Sequence, residues 1–192
     1  MKFTAGNTNA IRNELYEQLM SYRYEVFVAR LGWELKTEIG WEADEFDHRD
    51  TQYVIAQDEL GRITGCARLL PTSKPYLLEK IFPELMQDQP LPKSNAVWEL
   101  SRFTSLNPHE TQTQTPNQFS SETAIELLRE CIQVAWQHGA RHMITVSPLA
   151  IERLLRRAGF TSQRAAPPKV IGGYPLVPCW LDLQLNLQSR SE

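Results

Sequence analysis

The chain has no apolar run of membrane-spanning length, and its amino terminus, Met1-Lys2-Phe3-Thr4-Ala5-Gly6-Asn7, turns polar where a secretory signal would be apolar. A cytoplasmic location with no membrane partner is the expectation. The three cysteines, Cys66, Cys131 and Cys179, are an odd number in apolar surroundings with no Cys-x-x-Cys pair, and read as reduced core residues. His48, His109, His138 and His142 lack metal-ligand spacing, and Cys131 has no evident activating pair. Neither a metal nor a covalent nucleophilic intermediate is expected. No internal repeat is visible.

A chain of 192 residues fits one domain, 1–192, in which roughly 70% of the unfolded surface can be buried without staples. Net charge is −3, but Gly139 to Val170 holds six basic residues (Arg141, Arg153, Arg156, Arg157, Arg164, Lys169) against Glu152 alone. A nucleic-acid binder would usually be basic overall, which the isoelectric point of about 5.9 excludes as the expectation. An acidic protein partner suits this face better.

Ile11, Leu15, Leu19, Tyr22 and Val26 recur at three- and four-residue steps, predicting one amphipathic helix from Asn9 to Ala29 with Arg23 near its end. Residues 30 to 50 have no clean period and mix Trp33 and Trp41 with Glu42, Asp44, Glu45, Asp47 and Asp50, predicting a long ordered loop of the kind that binds ligands. Thr51–Gln57 and Arg62–Leu70 read as strands joined by the turn Asp58-Glu59-Leu60-Gly61. A short helix interrupted by Pro83 (Tyr76–Leu85) and a strand (Ala96–Thr104) follow. The polar stretch 107–118 should be a flexible loop, and Ser120 or Ser121 a cap for a helix ending near Gly139. His142–Val146 then reads as a buried strand, Leu149–Ala158 as a basic helix, Lys169–Leu183 as a hairpin turning at Gly172-Gly173, and about 185–192 as a polar tail.

The most informative stretch is Trp98-Glu99-Leu100-Ser101-Arg102-Phe103, an acid and a base in an otherwise apolar or aromatic run. Buried charges need partners. Three carboxylates (Asp44, Asp47, Glu99) balance three guanidiniums (Arg23, Arg68, Arg102), as one buried cluster or as separate surface pairs.

Arg23, Phe27, Trp33, Asp44, Asp47, Arg68, Glu99 and Arg102, in that order and spacing, resemble the signature of the LuxI-type acyl-homoserine lactone synthases, the bacterial quorum-sensing autoinducer synthases. Phe27-Val28, Leu31-Gly32-Trp33 and Gly65-Cys66-Ala67-Arg68-Leu69-Leu70-Pro71-Thr72 agree with it, and the likeness runs from about residue 12 to 183. The element order is similar to the fold this family uses: α/β (α+β), a GNAT-like α-β-α sandwich around a central mixed, mostly antiparallel twisted sheet.

The resemblance implies two substrates, S-adenosylmethionine and an acyl-acyl carrier protein, and no cofactor. The catalytic set it implies is Glu99, Arg102, Asp44, Asp47, Arg68 and Arg23, with Glu99 as general base or, alternatively, as the structural partner of Arg102. Phe27, Trp33, Asp44, Arg102 and Phe103 would hold adenosylmethionine, and Phe82, Met143, Thr145 and Leu149 would line the acyl chain or are ordinary core. Thr145 matches a position that in the family touches the third acyl carbon. Arg153, Arg156, Arg157 and Lys169 would dock the acidic carrier. The connection Ser105–Ser121 holds no glycine, where an acetyl-CoA-dependent enzyme of this topology would place its pyrophosphate loop. Such an N-acetyltransferase, or a sensor binding adenosylmethionine without turnover, remains the competing reading.

Overall fold

The structure, a computed structural model, describes residues 1–109 and 121–188. Its strands are β1 (Lys2–Gly6), β2 (Gln52–Gln57), β3 (Ile63–Pro71), β4 (Val97–Thr104), β5 (His142–Pro148), β6 (Ser162–Arg164), β7 (Lys169–Ile171) and β8 (Tyr174–Asp182). The helices are α1 (Asn13–Arg23), α2 (Leu77–Ile81), α3 (Ser121–Gln137), α4 (Leu149–Arg157) and α5 (Leu183–Gln188). The strands form a single, mostly antiparallel sheet in the order β1-β2-β3-β4-β5-β8-β6, with β7 also paired to β8. This is the mixed α/β arrangement expected. By internal contacts the chain divides into two compact units, Met1–Arg68 with Arg102–Glu130, and Leu69–Ser101 with Cys131–Glu192.

In the first unit, α1 follows the sequence periodicity, burying Leu15, Leu19, Met20 and Tyr22, but it starts later than expected and changes character at its end. Tyr24–Arg30 continues it as a π-helix, with the Leu31 N–H reaching back to the Val26 carbonyl at 3.0 Å. Such wide turns are rare and recur at functional sites. Val26 and Phe27 are wholly buried there, in a core with Ile11, Tyr53, Ile55, Ile63, Cys66 and Leu106. The Tyr22 hydroxyl donates to the Leu106 carbonyl at 2.7 Å.

β1 pairs antiparallel with β2 from Lys2↔Gln57 to Gly6↔Tyr53. The β2–β3 turn is fastened by Asp58, whose carboxylate accepts the N–H groups of Leu60 and Arg62. Within β3, a side chain at Gly65 would bring Cβ to 3.0 Å from the Thr104 carbonyl oxygen, so glycine permits a close backbone approach.

In the second unit β4 and β5 run parallel from Val97↔His142 to Leu100↔Thr145, while β5 pairs antiparallel with β8 from His142↔Asp182 to Pro148↔Leu176. The last hairpin turns at Gly172-Gly173 as expected, with φ of +56° and +83°, values that favour glycine. α4 leaves Arg153, Arg156 and Arg157 exposed.

Three elements were not foreseen. β1 occupies the polar amino terminus, β6 is three residues long, and α5 takes up 183–188, where a polar tail was expected to begin. The Asp182 carboxylate starts α5 by accepting the Leu185 N–H at 3.0 Å. The flexible loop expected over 107–118 lies, from residue 110 onward, outside the described residues, as does Ser120; α3 begins at Ser121.

Candidate active site

Six charged side chains of the first unit form a closed ring of alternating sign. Arg23 donates through Nε to Glu42 Oε2 at 2.5 Å, and through Nη1 and Nη2 to the two Asp47 oxygens at 2.8 and 2.9 Å. Asp47 Oδ2 lies 3.2 Å from Arg68 Nη1, which donates to Asp44 Oδ1 at 2.5 Å. Asp44 Oδ2 accepts from Arg102 Nη2 at 2.9 Å, and the same nitrogen donates to Glu42 Oε1 at 3.0 Å, closing the circuit. Every carboxylate bridges two guanidiniums. Arg23, Arg68, Glu42 and Asp47 are almost wholly buried, and such charges are tolerated only with this degree of pairing.

The expected arginines and aspartates are therefore brought together, and with them Glu42, a carboxylate that the sequence reading does not single out for the cluster. The cause is local. The Glu42 N–H donates to the Met20 carbonyl at 3.2 Å, so the loop runs back along α1 and brings position 42 to Arg23.

Burial alone would raise the carboxyl pKa values of Glu42 and Asp47, but the guanidiniums outweigh it. Arg23 and Arg102 hold Glu42 below the usual carboxylate range, and Arg23 and Arg68 hold Asp47 lower still. The Tyr53 hydroxyl donates to Asp47 Oδ1 at 2.9 Å; burial, then the Asp47 charge, raises its pKa and keeps it a donor.

Arg102 differs from the other two arginines. Its φ is +50°, a left-handed conformation that costs a non-glycine residue about 1–3 kcal/mol and interrupts the alternation of β4. Its carbonyl accepts the Cys66 thiol at 3.4 Å; burial pushes that thiol up to about 12, so it stays protonated. The Arg102 guanidinium carbon sits 5.8 Å from the ring centres of both Phe27 and Trp33, which lie 4.7 Å apart. Phe27 is buried, whereas Trp33 is 41% exposed. An aromatic face is thus open to a ligand beside a fixed cation. Phe103 follows on β4, half-buried.

Glu99 belongs to the second unit and is 1% exposed. Its two oxygens accept the N–H groups of Leu77 at 2.9 Å and Leu78 at 2.7 Å, the first residues of α2. Tyr76, the residue before α2, makes no side-chain cap, so β4 supplies the cap from a distance. The Tyr76 hydroxyl donates to the Pro92 carbonyl at 2.8 Å.

Of the acyl-chain candidates, Met143 and Thr145 are buried on β5, at alternate positions and hence on one face. Ser147 continues that face, its hydroxyl 3.3 Å from that of Thr145. Leu149 opens α4 and Phe82 ends α2, both half-buried. Neither of two open cavities, of about 460 Å³ around His142 and Trp180 and about 220 Å³ around Asp58 and Ser105, is lined by any of these four. Arg153, Arg156, Arg157 and Lys169 are exposed. Glu152, not foreseen as a partner, accepts from Arg164 at 2.9 and 2.8 Å and from Arg156 at 3.4 Å. Among the described residues no helix is long and apolar enough to cross a membrane.

Residues 7–187 match the family described as autoinducer synthase. The chain belongs to that family. An acyl-homoserine-lactone synthase of Acinetobacter nosocomialis is 48% identical over 183 residues, covering 95% of this chain and all of the relative. The chain is also similar to a crystallised protein, TofI, in a ternary complex with an inhibitor and MTA, at 38% identity and a TM-score of 0.82 over 95% of this chain and 92% of that one. A CoA-dependent acyl-homoserine lactone synthase, BjaI, crystallised with SAM and isopentyl-CoA, shares the fold at 21% identity and a TM-score of 0.83, covering 97% of this chain and 86% of that one. Autoinducer synthases are acyltransferases of quorum sensing, and the activity of this chain is acyl-homoserine-lactone synthesis.

Proposed function

We propose that this synthase transfers the acyl group of an acyl-acyl carrier protein to the amine of S-adenosylmethionine and then lactonises the product. The observation that carries the first substrate is the Arg102 guanidinium set over the Phe27–Trp33 pair. A sulfonium and an adenine both favour an aromatic face, and the methionyl end is zwitterionic, matching a ring that offers both signs. Asp44 takes the ammonium, and Arg102 and Arg68 orient the carboxylate.

Acylation needs the amine as a nucleophile. Glu99, directly or through a water, takes its proton; the nitrogen attacks the thioester carbonyl, the C–N bond forms, the C–S bond breaks, and the carrier thiol leaves with a proton. In the second step the methionyl carboxylate attacks its own γ-carbon and expels methylthioadenosine. That step is intramolecular, so orientation by the arginines contributes more than any acid or base. The reaction balances with adenosylmethionine as a substrate and no cofactor.

The carrier protein is preferred to coenzyme A as donor because Arg153, Arg156, Arg157 and Lys169 present exposed cations to an acidic surface, while Ser105–Ser121 has no glycine for a pyrophosphate loop. The test is a comparison of kcat/KM for one acyl chain carried by each donor. A kcat/KM at least tenfold higher for the carrier protein is expected; parity or preference for the acyl-CoA overturns the donor assignment.

A further inference from the structure

Glu42 lies outside the residues that carry the family resemblance, and its contacts give it a distinct place in the charged ring. Its side chain is 1% exposed, as is that of Asp47, whereas Asp44 is 22% exposed. The two carboxylates that bind Arg102 are therefore unequal: Asp44 faces water, and Glu42 does not. Glu42 is also tied down twice on its own side, through its N–H to Met20 and through Oε2 to Arg23 at the end of α1. From that anchorage it holds two nitrogens of Arg102, Nη2 at 3.0 Å and Nε at 3.3 Å. A guanidinium held at Nε and one Nη has its plane fixed, whereas one contact would leave it free to tilt.

We propose that Glu42 is a positioning residue of the synthase: anchored to α1, it fixes the plane of the Arg102 guanidinium against Phe27 and Trp33, so that Arg102 meets adenosylmethionine already oriented. This rests on the reading that adenosylmethionine binds at Arg102 and Trp33. Asp44, the more exposed partner, is the ring carboxylate that re-pairs when the zwitterion enters, and Glu42 keeps Arg102 in place during that exchange. Pre-orientation removes an ordering cost from substrate binding, so its loss appears in adenosylmethionine affinity first.

The experiment measures adenosylmethionine Kd by calorimetry, KM for both substrates and the melting temperature for wild type, Glu42→Gln, Glu42→Asp, Arg102→Ala and the Glu42→Gln/Arg102→Ala double variant. Gln keeps the shape and loses the charge; Asp keeps the charge and is one methylene too short to span both guanidiniums. Each Glu42 variant should raise the Kd for adenosylmethionine roughly tenfold, while KM for the acyl donor stays within about twofold. In the Arg102→Ala background Glu42→Gln should add nothing further, because its effect runs through Arg102. Multiplicative losses in the double variant, or a folded Glu42→Gln with wild-type Kd, overturn the proposal. So does failure of both Glu42 variants to fold when Arg102→Ala folds, which would make Glu42 a residue of stability alone. A wild-type chain that binds no adenosylmethionine contradicts the functional reading itself, and is recognised before any variant is compared.

Discussion

Glu99 Oε1 accepts the backbone N–H of Leu78 at 2.7 Å across 21 residues of sequence, so a side chain from β4 caps the first turn of α2. Glu99 thus has a measurable structural duty beside the catalytic one proposed for it. Glu99→Gln retains one acceptor and turns an amide NH2 toward a backbone N–H. The expected cost is about 1–3 kcal/mol of stability, the scale of one unsatisfied buried donor. Turnover of the folded variant should fall by roughly 10²-fold or more, as for loss of a positioned base. Calorimetry and single-turnover acylation separate the two effects. Wild-type turnover with a lowered melting temperature would leave Glu99 as a cap only.

Acid should weaken the fold through Glu42 and Asp47. Their folded pKa values lie below the unfolded ones, so their contribution is fully present above the ordinary carboxylate value of about 4 and is lost as pH falls through the folded values. The melting temperature should be level from about pH 7 to 5 and fall below that. Asp47→Asn should melt lower at pH 7 and show a shallower acid limb. An unchanged acid limb in that variant contradicts the ring's role in stability.

Charge reversal on α4 tests the docking surface. Arg153→Glu with Arg157→Glu should raise KM for the acyl-carrier protein roughly tenfold or more, because like charges then meet across the contact. The KM for adenosylmethionine should hold. Added salt should weaken the wild-type carrier reaction in the same direction. Glu152 already engages Arg156 and Arg164, which is why Arg153 and Arg157 are the pair to change. Salt-insensitive kinetics together with an unaffected double variant would return α4 to plain solvated surface.

Trp33→Ala should weaken adenosylmethionine binding by about 1–2 kcal/mol, the scale of a lost cation–aromatic contact. Global stability should change little, since Trp33 is 41% exposed. On binding, amide protection should rise over residues 31–40, while 42–47, already tied into the ring, should be protected beforehand. A large fall in melting temperature with unchanged exchange over 31–40 would make Trp33 a core residue.

The arginines and aspartates of the ring were legible because buried charge demands partners and their order along the chain is distinctive. Glu42 was not, since one acid among several in an aperiodic loop gains meaning only when the Met20 carbonyl is seen to receive its N–H. The contacts of Glu99 with the Leu77 and Leu78 amides carry no sequence signal, since those residues lie on an element joined to β4 by a long connection. Periodicity revealed α1, β2, β3, α3 and the last hairpin. It could not reveal the π-helical turn at Tyr24–Arg30, whose apolar spacing is shared with an ordinary helix, nor β1, whose residues are too few and too polar to show a period.

Mass spectrometry of the purified chain incubated with carboxyl-labelled adenosylmethionine and a panel of acyl-carrier proteins and acyl-CoAs tests the two-substrate reaction directly. The expected product is an N-acyl homoserine lactone that carries the label, formed one for one with methylthioadenosine, most rapidly from a carrier-bound acyl group. An acetylated amine formed from acetyl-CoA with adenosylmethionine left intact, or binding of adenosylmethionine with no product from any donor, would contradict it.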